Sequence, residues 1–523
     1  MEQLNRNFLA QKADFFLPDI EIGSPAAVTA VEERVLQFGE GNFLRAFVDY
    51  FIDILNEQSL FNGSVVIVQP IEQGLADEVN TQGGCYTVLL RGLENQKPVV
   101  RKRIVTGISR AINPYKDYEA YMETAKNPNL RFVISNTTEA GIAFLETDKL
   151  TDRPQAGFPA KVTALLYERY KFFNGDSSKG FIFIPCELID NNGTELKKAI
   201  LQNAGNWQLP DAFVEWIHNA NYFTNTLVDR IVTGYPKDEA EDLTKALGYK
   251  DNLLVAAEIF HFFAIEATKE SAKEISETLP FHKAGFDVVL TEDVTPYKLR
   301  KVRILNGAHT ISVLAAFLCG KDTVGEMMDE PLFVDYLKKG IFEEIMPGLD
   351  LEEEDLKSFA LSVFDRFANP YIKHYLLSIS LNSVSKYKAR VLPSILEYYK
   401  RKGDLPEILT LSFAALIGFY KGTSIEEGAL IGSRNGQPYK IVDDIEILTF
   451  FKEQWENVKG SNEGSNEIED LVRAVCAKTE YWGMDLNKLP GFCQKAAAFL
   501  TDINNNADND GMRKAVEKVV SIC

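Results

Sequence analysis

An α/β domain followed by a mainly α-helical domain is the fold class this sequence predicts, from three observations. Its 523 residues exceed what one hydrophobic core normally serves, so two domains are expected. Residues 34–68 read as strand, glycine turn, amphipathic helix and second strand, the repeating unit of a parallel sheet. From about residue 291 the patterning changes to long apolar-periodic segments, and strand signals nearly vanish. The expected division is 1–290 and 291–523, with a ligand cleft between the two domains.

The first unit begins with the strand RVLQF (34–38), followed by Gly39-Glu40-Gly41-Asn42 and FLRAFVDYFIDILNE. In that last segment Phe43, Ala46, Phe47, Phe51 and Ile54 recur at helical spacing, and a second strand follows at VVIV (65–68). A glycine turn between strand and helix is the setting in which backbone N–H groups receive a dinucleotide pyrophosphate. The third glycine of G-x-G-x-x-G is replaced by Leu44, which implies looser packing of helix on strand. The second strand ends in Gln69-Pro70 rather than an acid, leaving Glu72 as a substitute to hold ribose hydroxyls. No arginine follows until Arg91, so NAD is expected over NADP.

Further along, helix-like YEAYMETAKNPN leads into RFVIS and then Asn136-Thr137-Thr138-Glu139-Ala140-Gly141. A further strand, FIFIP (181–185), ends in Cys186-Glu187-Leu188-Ile189-Asp190-Asn191-Asn192-Gly193. Polar residues at the carboxyl ends of parallel strands lie where α/β sheets bind ligands.

In the second half, helices are expected at 297–319, 353–366, 370–382, 386–401, 406–420 and 443–458. The first carries Lys301, Asn306 and His309 in the pattern Lys-x4-Asn-x2-His, after a candidate N-cap Thr295 and Pro296, with Gly320 as a stop. At roughly 100° per residue, Asn306 lies about 140° and His309 about 80° from Lys301, so the three share an arc. A lysine, an amide and an imidazole suit metal-free proton transfer on a hydroxyl whose carbon loses a hydride. Lys298, Arg300, Lys301 and Arg303 make this helix locally basic and point to an anionic ligand or an acidic partner nearby. KGSNEGSNE (459–467) reads as a solvated loop, and NADNDGMRKAVE (506–517) as a polar linker rather than a calcium loop.

Composition narrows the function. A net charge of −19 argues against nucleic acid and anionic membrane surfaces as main partners and says nothing about a small anionic substrate. Six scattered cysteines without a CxxC pair, and an N-terminus without signal-peptide layout, point to the cytoplasm. Five histidines include no HExxH or other close ligand pair, so no metal is expected.

The chain resembles the polyol-specific long-chain dehydrogenases, the mannitol dehydrogenase family, and within it the hexuronate-reducing branch. The segments that carry this are FGEGNFLRAFVD (38–49), SNTTEAGI (135–142), PCELIDNNG (185–193), LVDRIV (227–232), AAEIFHFFAIE (256–266), KLRKVRILNGAHT (298–310), RFANPYIKH (366–374) and LNSVSKYKARVLPS (381–394). The resemblance implies an NAD-dependent oxidoreductase acting on CH–OH groups, here reducing D-tagaturonate to D-altronate with NADH. Fructuronate reduction or mannitol (polyol) oxidation are the alternatives within the family, and a non-catalytic NAD-sensing protein is a remote one. It implies Lys301 as general acid–base, Asn306 as donor to the oxygen that gains charge, and His309 as the group orienting substrate. A lysine in that role must release its proton near neutrality, which desolvation and neighbouring cations favour. Phe38, Gly39, Glu40, Gly41, Asn42, Phe43, Gln69, Asn136, Thr137 and Glu139 are the implied cofactor contacts. Asn192, Asp229, Arg366, Lys373 and Lys386 are the implied substrate contacts, with Arg366 placed to grip a carboxylate. One departure stands out. Mannitol dehydrogenases carry Cys-Asp-Asn where this chain has Cys186-Glu187-Leu188, so Asn192 is expected to stand in as oxyanion donor, or Asn306 to act alone.

Overall fold

The computed structural model describes residues 1–11, 19–23, 32–94, 96–138, 140–458, 465–504 and 510–521. Glu139, most of the 459–467 loop and part of the 506–517 linker lie outside the described residues. The chain forms two compact units, Met1–Gly92 with Lys97–Val294, and Leu93–Gln96 with Thr295–Cys523.

The first unit is built on a six-stranded, all-parallel sheet. Its strands are β1 (Glu32–Phe38), β2 (Gly63–Val68), β3 (Ile108–Ile112), β4 (Phe132–Ser135), β5 (Ile182–Pro185) and β6 (Tyr222–Phe223). Their spatial order is 3-2-1-4-5-6, the Rossmann order, so the chain reverses direction across the sheet between β1 and β4. Val65–Val68 and Phe132–Ile134 are almost fully buried, as befits strands covered on both faces. A second, mixed sheet pairs Tyr86–Glu94 in parallel with Val255–Glu258. A third joins Asn225–Asp229, Phe262–Glu266 and Val288–Thr291.

The helix after the glycine turn is broken. One turn, Asn42–Arg45, is followed by Val48–Glu57, with Phe47 at φ −127° and ψ −88° between them. The looser packing expected from Leu44 is not found: its side chain is 1% exposed and sits in the core under the sheet.

The second unit is mainly helical, with three differences from the sequence expectation. Residues 370–382 form no long helix; only Leu376–Ile379 is helical. Instead the segment pairs with 322–324, where the Val324 N–H donates to the His374 carbonyl and the Leu376 N–H to that of Asp322. The helix expected over 386–401 is two, Ser383–Arg390 and Leu392–Lys402, because Pro393 has no N–H to continue the first. Strands do occur: Gly422–Glu426, Ala429–Arg434 and Gln437–Ile441 form an antiparallel meander. Its turns, Glu427-Gly428 and Asn435-Gly436, hold both residues at positive φ, the geometry of tight hairpins. Among the described residues no helix is long and apolar enough to cross a membrane.

Candidate active site

The glycine turn sits at the carboxyl end of β1, beside that of β4, where doubly wound sheets bind ligands. The Asn136 N–H donates to the Phe38 carbonyl (3.1 Å), and the Gly39 N–H to that of Val68 (3.1 Å). Gly39 adopts φ +115°, and a Cβ there would stand 2.7 Å from the Asn136 carbonyl oxygen. Gly41 differs: a Cβ there would meet nothing within 4 Å, so the space above it is open. An open approach to backbone beside a helical turn is the fit a dinucleotide pyrophosphate requires.

Two buried polar side chains hold this turn in place, and neither is among the residues read from sequence. Gln37 donates to the Gly39 carbonyl (3.0 Å) and to Asp49 (3.1 Å). Arg45, 2% exposed, donates to the Glu40 carbonyl (3.1 Å), the Asn42 side chain (2.8 Å) and the Leu253 carbonyl. The signal was a polar residue on an otherwise apolar strand and a cation within an apolar helical stretch.

Of the implied cofactor contacts, Phe38 is wholly buried and offers only backbone, while Phe43 stacks on Phe47 at 4.9 Å. Glu40 is buried with Oε1 accepting from the Leu75 N–H, and burial raises its carboxyl above the usual range. Its Oε2 is buried and has no hydrogen-bond partner among the described residues. Gln69 binds the carbonyls of Ile71 and Glu72 and the N–H of Ala76, so its amide is engaged in shaping the 71–76 loop. Asn136 donates to the Cys186 carbonyl (2.7 Å), and Thr137 is tied to Glu187 through its N–H and hydroxyl.

The helix that carries the trio is not uniform. It runs as α-helix over Thr295–Arg300, π-helix over Lys301–Asn306 and α-helix again over Gly307–Leu318. The arc expected from 100° per residue is therefore corrected. In an i→i+5 register, residues five apart come close to alignment, so Lys301 and Asn306 lie nearer one another than an α-helix places them. His309 follows Asn306 by three residues on regular α-helix, one turn further along the same face.

The Asn306 side-chain amide makes no hydrogen bond among the described residues; the Asn306 main-chain carbonyl accepts from the Thr310 hydroxyl (2.8 Å). His309 stacks on Phe367 at 4.0 Å and meets His374 edge-on at 5.4 Å. Burial, then His374, Arg366, Arg390 and Lys386, hold its pKa well below the usual imidazole range, so it is neutral at physiological pH. His309 and Lys386 line one small cavity of about 10 Å³ with Thr310, Ser380 and Ser383. Arg366 and Lys386 thus lie in the surroundings of His309, together with His374 and Arg390, which sequence reasoning did not single out. Lys373 is exposed, and its ammonium lies over the Tyr375 ring at 5.2 Å.

The mannitol dehydrogenase Rossmann-domain model matches residues 33–277, and the mannitol dehydrogenase C-terminal-domain model matches residues 293–504. The chain belongs to the mannitol dehydrogenase family. It is 46% identical over 485 residues to an altronate oxidoreductase of Escherichia coli O139:H28, covering 92% of this chain and 96% of that protein. The altronate oxidoreductase of Yersinia enterocolitica is 44% identical over the same shares. Among solved structures, Pseudomonas fluorescens mannitol 2-dehydrogenase in ternary complex with NAD and D-mannitol matches with a TM-score of 0.65 and 20% identity, covering both chains completely.

In this family member the Asn192 side chain is engaged in internal hydrogen bonds. It is 0% exposed; its amide donates to Pro185, Glu187 and Thr226, and its oxygen accepts from the N–H groups of Gly193 and Thr226. Leu188 is 66% exposed, so no core requirement explains it. Glu187, 3% exposed, instead ties the ends of β4 and β5 by accepting from Ser135 and Thr137. Asp229 is buried at the end of its strand. Among the described residues no cluster of three or more His, Cys, Asp or Glu is arranged to hold a metal.

Proposed function

We propose that this protein reduces D-tagaturonate to D-altronate with NADH, reversibly and without a metal. The observation that carries this reading is 44–46% identity to altronate oxidoreductases over 92% of the chain. The cations gathered around His309 support it, since an anionic sugar acid is what an electropositive pocket in an acidic protein would select.

The open turn at Gly41 fits the pyrophosphate of NAD. When bound, NADH supplies the hydride. Lys301 gives its proton to the substrate carbonyl oxygen in reduction and takes it back in oxidation. The unengaged amide of Asn306 donates a hydrogen bond to that oxygen as charge builds on it. Neutral His309, clamped by Phe367, holds a neighbouring substrate hydroxyl without adding another charge. With Asn192 committed elsewhere, Asn306 carries the side-chain share of oxyanion stabilisation. The free thiols of Cys85, Cys186, Cys319, Cys476 and Cys493 fit a reducing compartment, and the cytoplasm is part of this reading.

Steady-state rates with D-tagaturonate, D-fructuronate and D-mannitol at fixed cofactor test the assignment. The highest kcat/KM belongs to tagaturonate; a higher value for mannitol would rule out a uronate substrate.

A further inference from the structure

We propose that Arg390 binds the substrate carboxylate and thereby selects a uronate over a neutral ketose; this rests on the sugar-acid reading above. Arg390 ends the helix Ser383–Arg390, which stops there because Pro393 opens the next one. The end of this helix abuts the trio's own helix. Arg303 donates to the Ala389 carbonyl (3.0 Å), and the Arg390 carbonyl oxygen lies 3.6 Å from where a Cβ on Gly307 would stand. Gly307 directly follows Asn306, so the arginine is rooted beside the oxyanion donor. Lys386, one turn earlier on the same face, lines the cavity beside His309.

The guanidinium of Arg390 makes no hydrogen bond and no ion pair among the described residues, although the side chain is half-buried. A partly desolvated cation without a counter-anion is a costly arrangement that an anionic ligand completes. The neighbouring cations are otherwise occupied. Lys386 donates to the Ile379 carbonyl (2.9 Å), Lys373 lies over Tyr375, and Arg366 is 7% exposed and engaged in other interactions. Arg390 therefore replaces Arg366 as the group with a free planar fork for two parallel bonds to a carboxylate.

The test compares wild type, Arg390→Leu and Arg390→Lys on D-tagaturonate and on D-tagatose, in which CH2OH replaces the carboxylate. NADH affinity and melting temperature serve as controls. Arg390→Leu is expected to lower kcat/KM for tagaturonate by roughly a hundredfold or more, mainly through KM. Its kcat/KM on tagatose should stay within about threefold of wild type, and Arg390→Lys should recover part of the loss. An unchanged KM for tagaturonate in Arg390→Leu, or equal losses on both sugars, would overturn the proposal. Should wild type prefer D-fructuronate, the tagaturonate assignment falls, and the same selective loss on fructuronate upholds the role of Arg390.

Discussion

The carbonyl oxygen of Asn136 stands 2.7 Å from the point that a Cβ on Gly39 would occupy, while the corresponding point on Gly41 has no neighbour within 4 Å. The two glycines of one turn therefore answer to different demands. Gly39→Ala meets main chain at a positive φ and is expected to destabilise the protein by about 1–3 kcal/mol. Gly41→Val should leave the melting temperature within about 2 °C of wild type while weakening NADH binding at least about tenfold. Calorimetry and fluorescence titration check the pair. Equal effects on stability would mean that the space above Gly41 is not reserved for a ligand.

Lys301→Ala is expected to lower turnover at least about a hundredfold, the usual scale for a lost general acid–base. NADH titration should give a dissociation constant close to wild type, because the glycine turn is untouched. Near-normal turnover would move the proton-transfer role to another group.

Activity should survive dialysis against EDTA. The described residues hold no cluster of three metal-ligating side chains, and the proposed reaction assigns the proton to Lys301 and the oxyanion to Asn306 without a Lewis acid. Loss of activity on chelation, restored by a divalent cation, would contradict this chemistry.

Burial pushes the Asp49 carboxyl, which accepts from Gln37 behind the glycine turn, up to about 7 from 3.8. Between those values the folded chain keeps a proton that the unfolded chain has released. The resulting stabilisation is fully present below about pH 4 and is lost as pH rises through about 7, to a total of about 4 kcal/mol. Asp49→Asn removes this titration. In urea unfolding, the variant should gain about 2–3 kcal/mol relative to wild type between pH 5 and pH 8. A difference that does not change with pH would place the group's titration elsewhere.

Four of the six parallel strands were legible because they carry short apolar runs, whereas Ile108–Ile112, interrupted by Ser109 and Arg110, and the two-residue Tyr222–Phe223 were not. The glycine turn was legible because strand, GxG and amphipathic helix follow in order. The Lys-x4-Asn-x2-His spacing was legible too, but its geometry was not. Leu299, Val302, Leu305 and Ala308 fit an ordinary helical period, so nothing in the apolar pattern announces the π-turn between Lys301 and Asn306. Asn192 looked like a ligand-facing amide and is a structural one, since hydrogen bonding to Pro185 and Thr226 has no local sequence signature. The 422–441 meander escaped for a different reason. Its strands are five or six residues long with much of one face exposed, so only Asn435-Gly436 marks it. Arg390 lies within a recognised segment, yet its unpaired state among the described residues depends on contacts that only the fold defines.

The π-turn at Lys301–Asn306 also bears on how this chemistry tolerates insertion and deletion. An i→i+5 turn is an α-turn with one residue added, and removing that residue restores an i→i+4 repeat. Lys-x4-Asn on a π-turn and Lys-x3-Asn on an α-turn are thus two spellings of one spatial pair. A deletion of Val302 would keep the lysine over the asparagine and leave the residues before it, Arg300 and Lys298 included, in nearly the same rotational phase about the helix axis. The extra residue is absorbed within the turn, and neither the pairing nor the facing of the preceding helix depends on it.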